Sequence, residues 1–177
     1  MKINWIPSFN LMLKSEGGFS DDQDDKGNHL PDGRKGCTNL GVTQTTWENW
    51  VGRVSGEKEM RALTPEKVEP LYKRKYWDAC RCDELPVGVD YLVFDFAVNA
   101  GVGRSVKILQ TAVGATVDGA IGPKTITAVC SYPIKDVVNK FSSAKEDYYK
   151  SLDNPKYEKG WLNRVAEVKL NAEHMLG

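Results

Sequence analysis

Histidine is almost missing from this chain, cysteine is sparse, and neither sign of charge prevails. The two histidines, His29 and His174, lie far apart in sequence. The four cysteines are Cys37, Cys80, Cys82 and Cys130. Cys80 and Cys82 stand one residue apart, and neither a Cys-x-x-Cys pair nor a histidine cluster accompanies them, so no metal site is expected. Scattered thiols suit a reducing compartment, with disulfides open only after export. The 24 basic and 24 acidic residues cancel, so the basic excess that a nucleic-acid partner demands is lacking. Lys73, Arg74 and Lys75 form a local basic strip, read as a solvated helix face. No run of about 18 apolar residues exists, which leaves no membrane span. The N-terminus interleaves apolar and polar residues and breaks at Pro7, unlike the apolar stretch of a signal peptide. Neither internal repeats nor low-complexity linkers interrupt the chain.

What is present is an ordinary globular composition, 41% hydrophobic and 27% charged over 177 residues, enough for a continuous core. Most of it reads helical. Ile3, Ile6, Phe9, Met12 and Leu13 recur at helical spacing and predict a first helix ending at Glu16-Gly17-Gly18, with an irregular or late start because of Pro7. Residues 19–42 carry no helical period and predict a long functional loop or small β-hairpin. Helical signals resume at Thr43, and Thr45 with Glu48 fits a capping box. Thr64-Pro65-Glu66 marks another N-terminus, whose helix should run to about Tyr76 with Pro70 distorting it. Residues 87–100 are apolar on nearly all sides, as in a buried central helix; Gly101 and Gly103 end it before a helix from Arg104 to Val113. A turn at 118–123, a short helix from Pro123, and two longer helices near 134–152 and 156–175 complete a mainly α chain.

Glu16 is the first candidate for chemistry. A carboxylate at a helix C-terminus meets the negative end of the macrodipole, and partial burial against an aromatic such as Phe19 or Trp5 acts in the same direction. Both favour the protonated form that a general acid needs to donate to a glycosidic oxygen. Gly17 and Gly18 remove side chains beside it and let a bulky substrate approach. The residues alone leave a second reading open, a surface acid at a plain helix end. Glycoside hydrolysis commonly employs a second carboxylate, and Asp21, Asp22, Asp24 and Asp25 all qualify by position. That acidic loop lacks the alternating Asp pattern and distal Glu of a calcium loop. Asp95, inside the apolar helix, reads as a buried hydrogen-bonding residue, and Trp161 as packing for the last helix.

Glu16-Gly17-Gly18-Phe19-Ser20, Asp24-Asp25 and Thr38-Asn39-Leu40-Gly41-Val42-Thr43 together resemble the opening of the glycoside hydrolase family 108 muramidases, often phage endolysins. Eight residues separate Glu16 from Asp25. Tyr76-Trp77-Asp78, Leu85-Pro86 and Phe94-Asp95-Phe96-Ala97-Val98-Asn99-Ala100-Gly101 extend the likeness. Leu109-Gln110, Asp118-Gly119 and Gly122-Pro123-Lys124-Thr125 resemble that family's peptidoglycan-binding half. The link between Asp25 and Thr38 is longer than the family form, through residues 28–36.

The resemblance implies a lysozyme-like helical fold, one muramidase domain over 1–177, with a catalytic half of about 1–90 and a peptidoglycan-binding half of about 91–177. It implies cleavage of the β-1,4 bond between N-acetylmuramic acid and N-acetylglucosamine, on peptidoglycan glycan strands as partner and without a cofactor. Glu16 would be the proton donor, and Asp25 and Thr38 would hold the attacking water or stabilise the transition state. Tyr76, Asn99, Gly17 and Gly18 would line the substrate. A monomer is expected, made in the bacterial cytoplasm and released by a holin or another route to reach the wall, for host lysis or wall remodelling. A lytic transglycosylase, or a peptidoglycan-binding protein without turnover, is the alternative.

Overall fold

The computed structural model describes residues 3–177. Its chain order is α1 (Trp5–Ser15), β1 (Thr38–Asn39), β2 (Val42–Thr43), α2 (Gln44–Val51), α3 (Glu57–Arg61), α4 (Pro65–Tyr72), α5 (Val89–Ala100), α6 (Val102–Val113), α7 (Pro123–Cys130), α8 (Ile134–Ser151) and α9 (Pro155–Met175). The expected mainly α architecture is what forms, with its β structure confined to the loop region after α1. No helix among the described residues is long and apolar enough to cross a membrane. The chain gathers into two compact units: Phe9–Lys73, and the residues up to Ser8 together with Arg74–Gly177.

In the Phe9–Lys73 unit, local rules account for most boundaries. Helix α1 starts at Trp5, which puts Pro7 in the first turn, where backbone N–H groups have no intrahelical partner in any case. Strands β1 and β2 pair antiparallel, Asn39 opposite Val42, around the two-residue turn Leu40-Gly41. Both turn residues have positive φ, 51° and 76°, the signature of a type I′ turn whose twist matches the strands. Thr43, not Thr45, caps α2: its Oγ1 accepts the Thr46 N–H at 3.2 Å. The expected capping box is therefore absent, because Glu48 is drawn away to Arg34, Gln44 and the Ser55 N–H. Thr64 caps α4 as expected, accepting from the Lys67 N–H. That helix keeps α geometry only to Tyr72; beyond Pro70 the chain runs on as a π-helical segment, Lys73–Asp78, consistent with a proline that removes one donor from the ladder.

The long link before Thr38 is compact. A 3₁₀ turn at Lys26–Asn28 leads into a small bridged loop in which His29 pairs with Lys35. Leu30 N–H donates to Arg34 O at 3.0 Å, and Gly33, at φ 88°, makes the reversal. Arg34 then pins this loop to α2 through a bidentate pair with Glu48 at 3.0 and 2.7 Å. The guanidinium lowers the Glu48 pKa to about 2, against partial desolvation and with help from the Ser55 N–H and Gln44.

The other unit is built around α5, whose residues Val89 to Ala97 are all buried and which packs against α6, α8 and α9. Trp5, Trp77 and Phe94 meet edge to face at 5.2–5.7 Å. Gly101, at φ 95°, ends α5 as expected, but Gly103 lies inside α6, which begins at Val102. Two carboxylates sit inside this core. Asp90 Oδ1 accepts from the Asn4 amide and from the backbone N–H groups of Gly88 and Tyr91. Burial nevertheless raises its pKa to about 6, those three donors opposing the shift. Asp95, fully buried, pairs with Arg164 Nη2 at 2.7 Å and lies 3.6 Å from the Lys145 ammonium. Unpaired charge at such a site would cost several kcal/mol, on the order of 3–5. Burial pulls the Lys145 pKa down, and the Asp95 carboxylate pushes it partly back. Gln110 organises the turn after α6: its amide donates to Asp118, Ala120 O and Thr125, and its oxygen accepts from the Asp118 and Gly119 N–H groups.

Candidate active site

Glu16, Gly17, Gly18, Asp25 and Thr38 fall within one unit, Phe9–Lys73, whereas Tyr76 and Asn99 belong to the other. Glu16 follows the last residue of α1, its N–H closing onto Leu13 O at 3.1 Å. Its side chain is half-buried. The carboxyl group sits against the hairpin turn: a Cβ placed on Gly41 would meet Glu16 Oε2 at 2.7 Å and the Tyr72 hydroxyl at 2.5 Å. Tyr72 comes from α4 and is itself buried, and its hydroxyl donates to Leu40 O at 2.7 Å. The acid is thus bounded by the end of one helix, a turn without a side chain, and a phenol anchored to that turn.

Gly17 and Gly18 present the opposite environment. A Cβ on either would have nothing within 4 Å, so the space beside the acid is open to an incoming ligand. Just beyond, Ser20 and Thr38 exchange backbone hydrogen bonds at 2.8 Å in both directions. This bridge ties the chain leaving Glu16 to strand β1. Phe19 lies under the Arg61 guanidinium at 3.7 Å from the ring centre, a cation–π contact that fixes the loop wall.

Asp25 is exposed and caps the 3₁₀ turn, its Oδ1 accepting the Gly27 N–H at 2.8 Å. Thr38 Oγ1 donates to Asn28 Oδ1 at 2.7 Å, and the buried Asn28 donates in turn to Asp22 O. Asn28 therefore links Thr38 on β1 to the short turn that Asp25 caps. Between them the chain folds out as the loop closed by His29 and Lys35. Of the neighbouring acids, Asp22 is occupied with loop geometry, its Oδ1 accepting the Asp24 N–H. Among the described residues no group of three His, Cys, Asp or Glu side chains converges as metal ligands. All four cysteines are free thiols, Cys130 exposed and the others buried.

In the other unit, Tyr76 is half-buried on the π-helical segment. Asn99 is exposed at the end of α5, its amide 3.4 Å from Asp95 Oδ2. One residue at the acid went unrecognised in the sequence: Tyr72 looked like any aromatic on a helix, and only its place beneath the Leu40-Gly41 turn reveals its contact with the acid. Trp161, read as packing for the last helix, stacks between Tyr149 and Tyr157 at 5.2 and 5.8 Å and also borders a pocket, which the sequence reading did not foresee. Aromatic spacing at 148, 149, 157 and 161 was the available signal.

A half-buried acid thus lies at a helix end, with open space beside it and a hairpin loop of polar anchors, in a mainly α, lysozyme-like fold. The family model described as Glycosyl hydrolase 108 matches residues 9–101, and one described as Predicted Peptidoglycan domain matches residues 104–166. The chain belongs to glycoside hydrolase family 108. Among solved structures it is similar to SagA of Brucella abortus, at 34% identity and a TM-score of 0.83, covering 99% of this chain and 97% of that one. No curated protein matches it.

Proposed function

We propose that the protein hydrolyses the β-1,4 bond between N-acetylmuramic acid and N-acetylglucosamine in peptidoglycan, with Glu16 as the general acid. The observation that carries this reading is the setting of Glu16, clamped against Gly41 and Tyr72 on one side and open at Gly17 and Gly18 on the other. Glu16 gives its proton to the glycosidic oxygen as the bond to the muramic acid anomeric carbon breaks. Water adds to the resulting oxocarbenium-like centre and supplies the new hydroxyl, and the proton it sheds restores the acid form of Glu16, by way of solvent or a neighbouring carboxylate. Asp25 and Thr38, joined through one polar turn, orient that water or balance the developing charge. Tyr76 and Asn99, both outside the Phe9–Lys73 unit, contribute sugar contacts. The catalytic half is then about 1–90, and the half from about 91 engages the wall.

Glu16→Gln keeps the shape of the acid and removes its proton, and it should abolish release of reducing ends from purified sacculi. Undiminished release would remove Glu16 from the reaction. Asp25→Asn should give a smaller loss, because it leaves the proton donor in place; a loss equal to that of Glu16→Gln would make Asp25 essential. Mass spectrometry of the released fragments tests the water step itself, because a transglycosylase product is lighter by one water. The biological setting we propose is wall cleavage by a monomer after holin-type or other release, in host lysis or wall remodelling.

A further inference from the structure

A pocket of about 330 Å³ lies wholly within the Arg74–Gly177 part of the chain, and of its lining residues only Asn99 has a part in the reaction above. Asn99, Arg104, Tyr148, Tyr149, Trp161 and Arg164 line it. One wall is aromatic: Trp161 and Tyr149 lie nearly parallel, 24° apart, with Tyr148 tilted at 54° to Tyr149, and Tyr157 stacks on Trp161 outside the lining. The other is cationic. The Arg104 guanidinium is exposed and sits 5.0 Å above the Tyr148 ring. The Arg164 side chain retains 24% exposure and is locked by buried Asp95, which also reaches the Asn99 amide. Asp95 faces Lys145 as well, so the single carboxylate behind the pocket is shared between two cations. None of the described residues lining the pocket is acidic.

A site for neutral sugar hydroxyls alone is served by carboxylates and amides as acceptors, and this pocket offers guanidinium donors instead. Guanidinium groups pair with carboxylates in preference to hydroxyls, through two parallel charge-assisted bonds. The volume is at the low end for a ligand pocket and suits one or two amino-acid residues better than a disaccharide. Peptidoglycan carries its free carboxylates on the peptide stems. Resting on the assignment of peptidoglycan as substrate, we propose that this pocket binds a carboxylate-bearing residue of the stem peptide, with Arg104 pairing the carboxylate and Trp161 packing its aliphatic part. Asp95 acts as a positioning residue that holds Arg164 and Asn99 at the pocket mouth. The wall would thereby be gripped by its peptides as well as cut in its glycan.

The test is calorimetric titration of the full-length protein with a glycan-free stem tetrapeptide, its carboxyl-amidated counterpart, and a chitin tetrasaccharide. The free acid should bind at least tenfold more tightly than the amide, a difference of about 1.4 kcal/mol, and the tetrasaccharide should not compete with it. Arg104→Gln should lose about tenfold in affinity for the free acid, and Arg104→Lys should fall between. Equal binding of acid and amide by the unaltered protein overturns the proposal, and so does an unchanged affinity in folded Arg104→Gln. If Arg104→Gln fails to fold, the acid–amide comparison decides alone. A peptide without glycan is no substrate for a glycosidase, so its binding is read independently of reducing-end release. Cleavage without peptide binding sinks only this proposal; peptide binding without cleavage sinks only the hydrolase reading.

Discussion

Gly41→Ala separates the strain of a turn from the placement of the acid. Gly41 and Gly52 share almost the same backbone conformation, φ 76° and 75°. An L-residue there costs about 1 kcal/mol. The two positions differ in what a methyl group would meet. At Gly52 there is nothing within 4 Å, while at Gly41 it meets the Tyr72 hydroxyl at 2.5 Å and Glu16 Oε2 at 2.7 Å. Relief to ordinary contact moves the carboxyl group by about 0.7 Å, and misplacement on the order of 1 Å costs about 10²-fold in rate. Tyr72 cannot yield easily, since it is buried and hydrogen-bonded to Leu40 O, so overpacking adds about 1–3 kcal/mol of destabilisation. Gly52→Ala should therefore lose about 1 kcal/mol of stability and no activity. Gly41→Ala should lose roughly 2–4 kcal/mol and about 10²-fold in kcat. Urea unfolding and initial rates of reducing-end release, compared where both variants remain folded, read the two effects separately. A folded Gly41→Ala that works within about threefold of the parent would refute the idea that this turn places the acid.

Two pH effects follow from the buried and paired carboxylates. The Glu48 pKa, about 2, lies below the ordinary 4.5, so its contribution is complete above 4.5 and disappears as pH falls toward 2. Discounted for an Arg34 side chain that is 38% exposed, it amounts to about 1–2 kcal/mol, and denaturant melts of Glu48→Gln should lack this acid loss. Asp90 has the opposite sign. Its folded pKa of about 6 lies above the ordinary 3.8, so the folded state gains at low pH and loses that gain as pH rises from 3.8 through 6. Asp90→Asn should flatten the slope and match or exceed the parent at neutral pH; a loss of more than about 2 kcal/mol there would show that the ionised form is the favoured one.

The helical scaffold was readable wherever local chemistry decides the outcome. Thr64-Pro65 opens a helix, Gly101 closes one, and the largely apolar stretch around Val93 is central because almost no face of it tolerates water. Reading failed where a distant partner outbid the local one. Glu48 is a well-placed capping-box acid in sequence, but a guanidinium fourteen residues away, at Arg34, binds it more strongly than a backbone N–H would. The same holds for the candidate site. Glu16 and its glycines stand together in the chain and were visible at once. Tyr72 reaches the acid only through the hairpin turn, and Trp161 becomes a pocket wall only when α8 and α9 bring its ring onto Tyr149.

The loop between His29 and Lys35 opens a different prospect. Its ends are already joined by a bridge, its tip turns on Gly33, and a single arginine fastens it to α2. Segments of this kind behave as cassettes. Doubling such a loop adds only about 0.6 kcal/mol of closure entropy, and both Asp25 and Thr38 lie outside the closed stretch. The exposed residues 31–33, beyond the buried Leu30, are thus a natural port where evolution, or an engineer wanting to append a recognition peptide, can change the chain while the neighbouring chemistry stays in register.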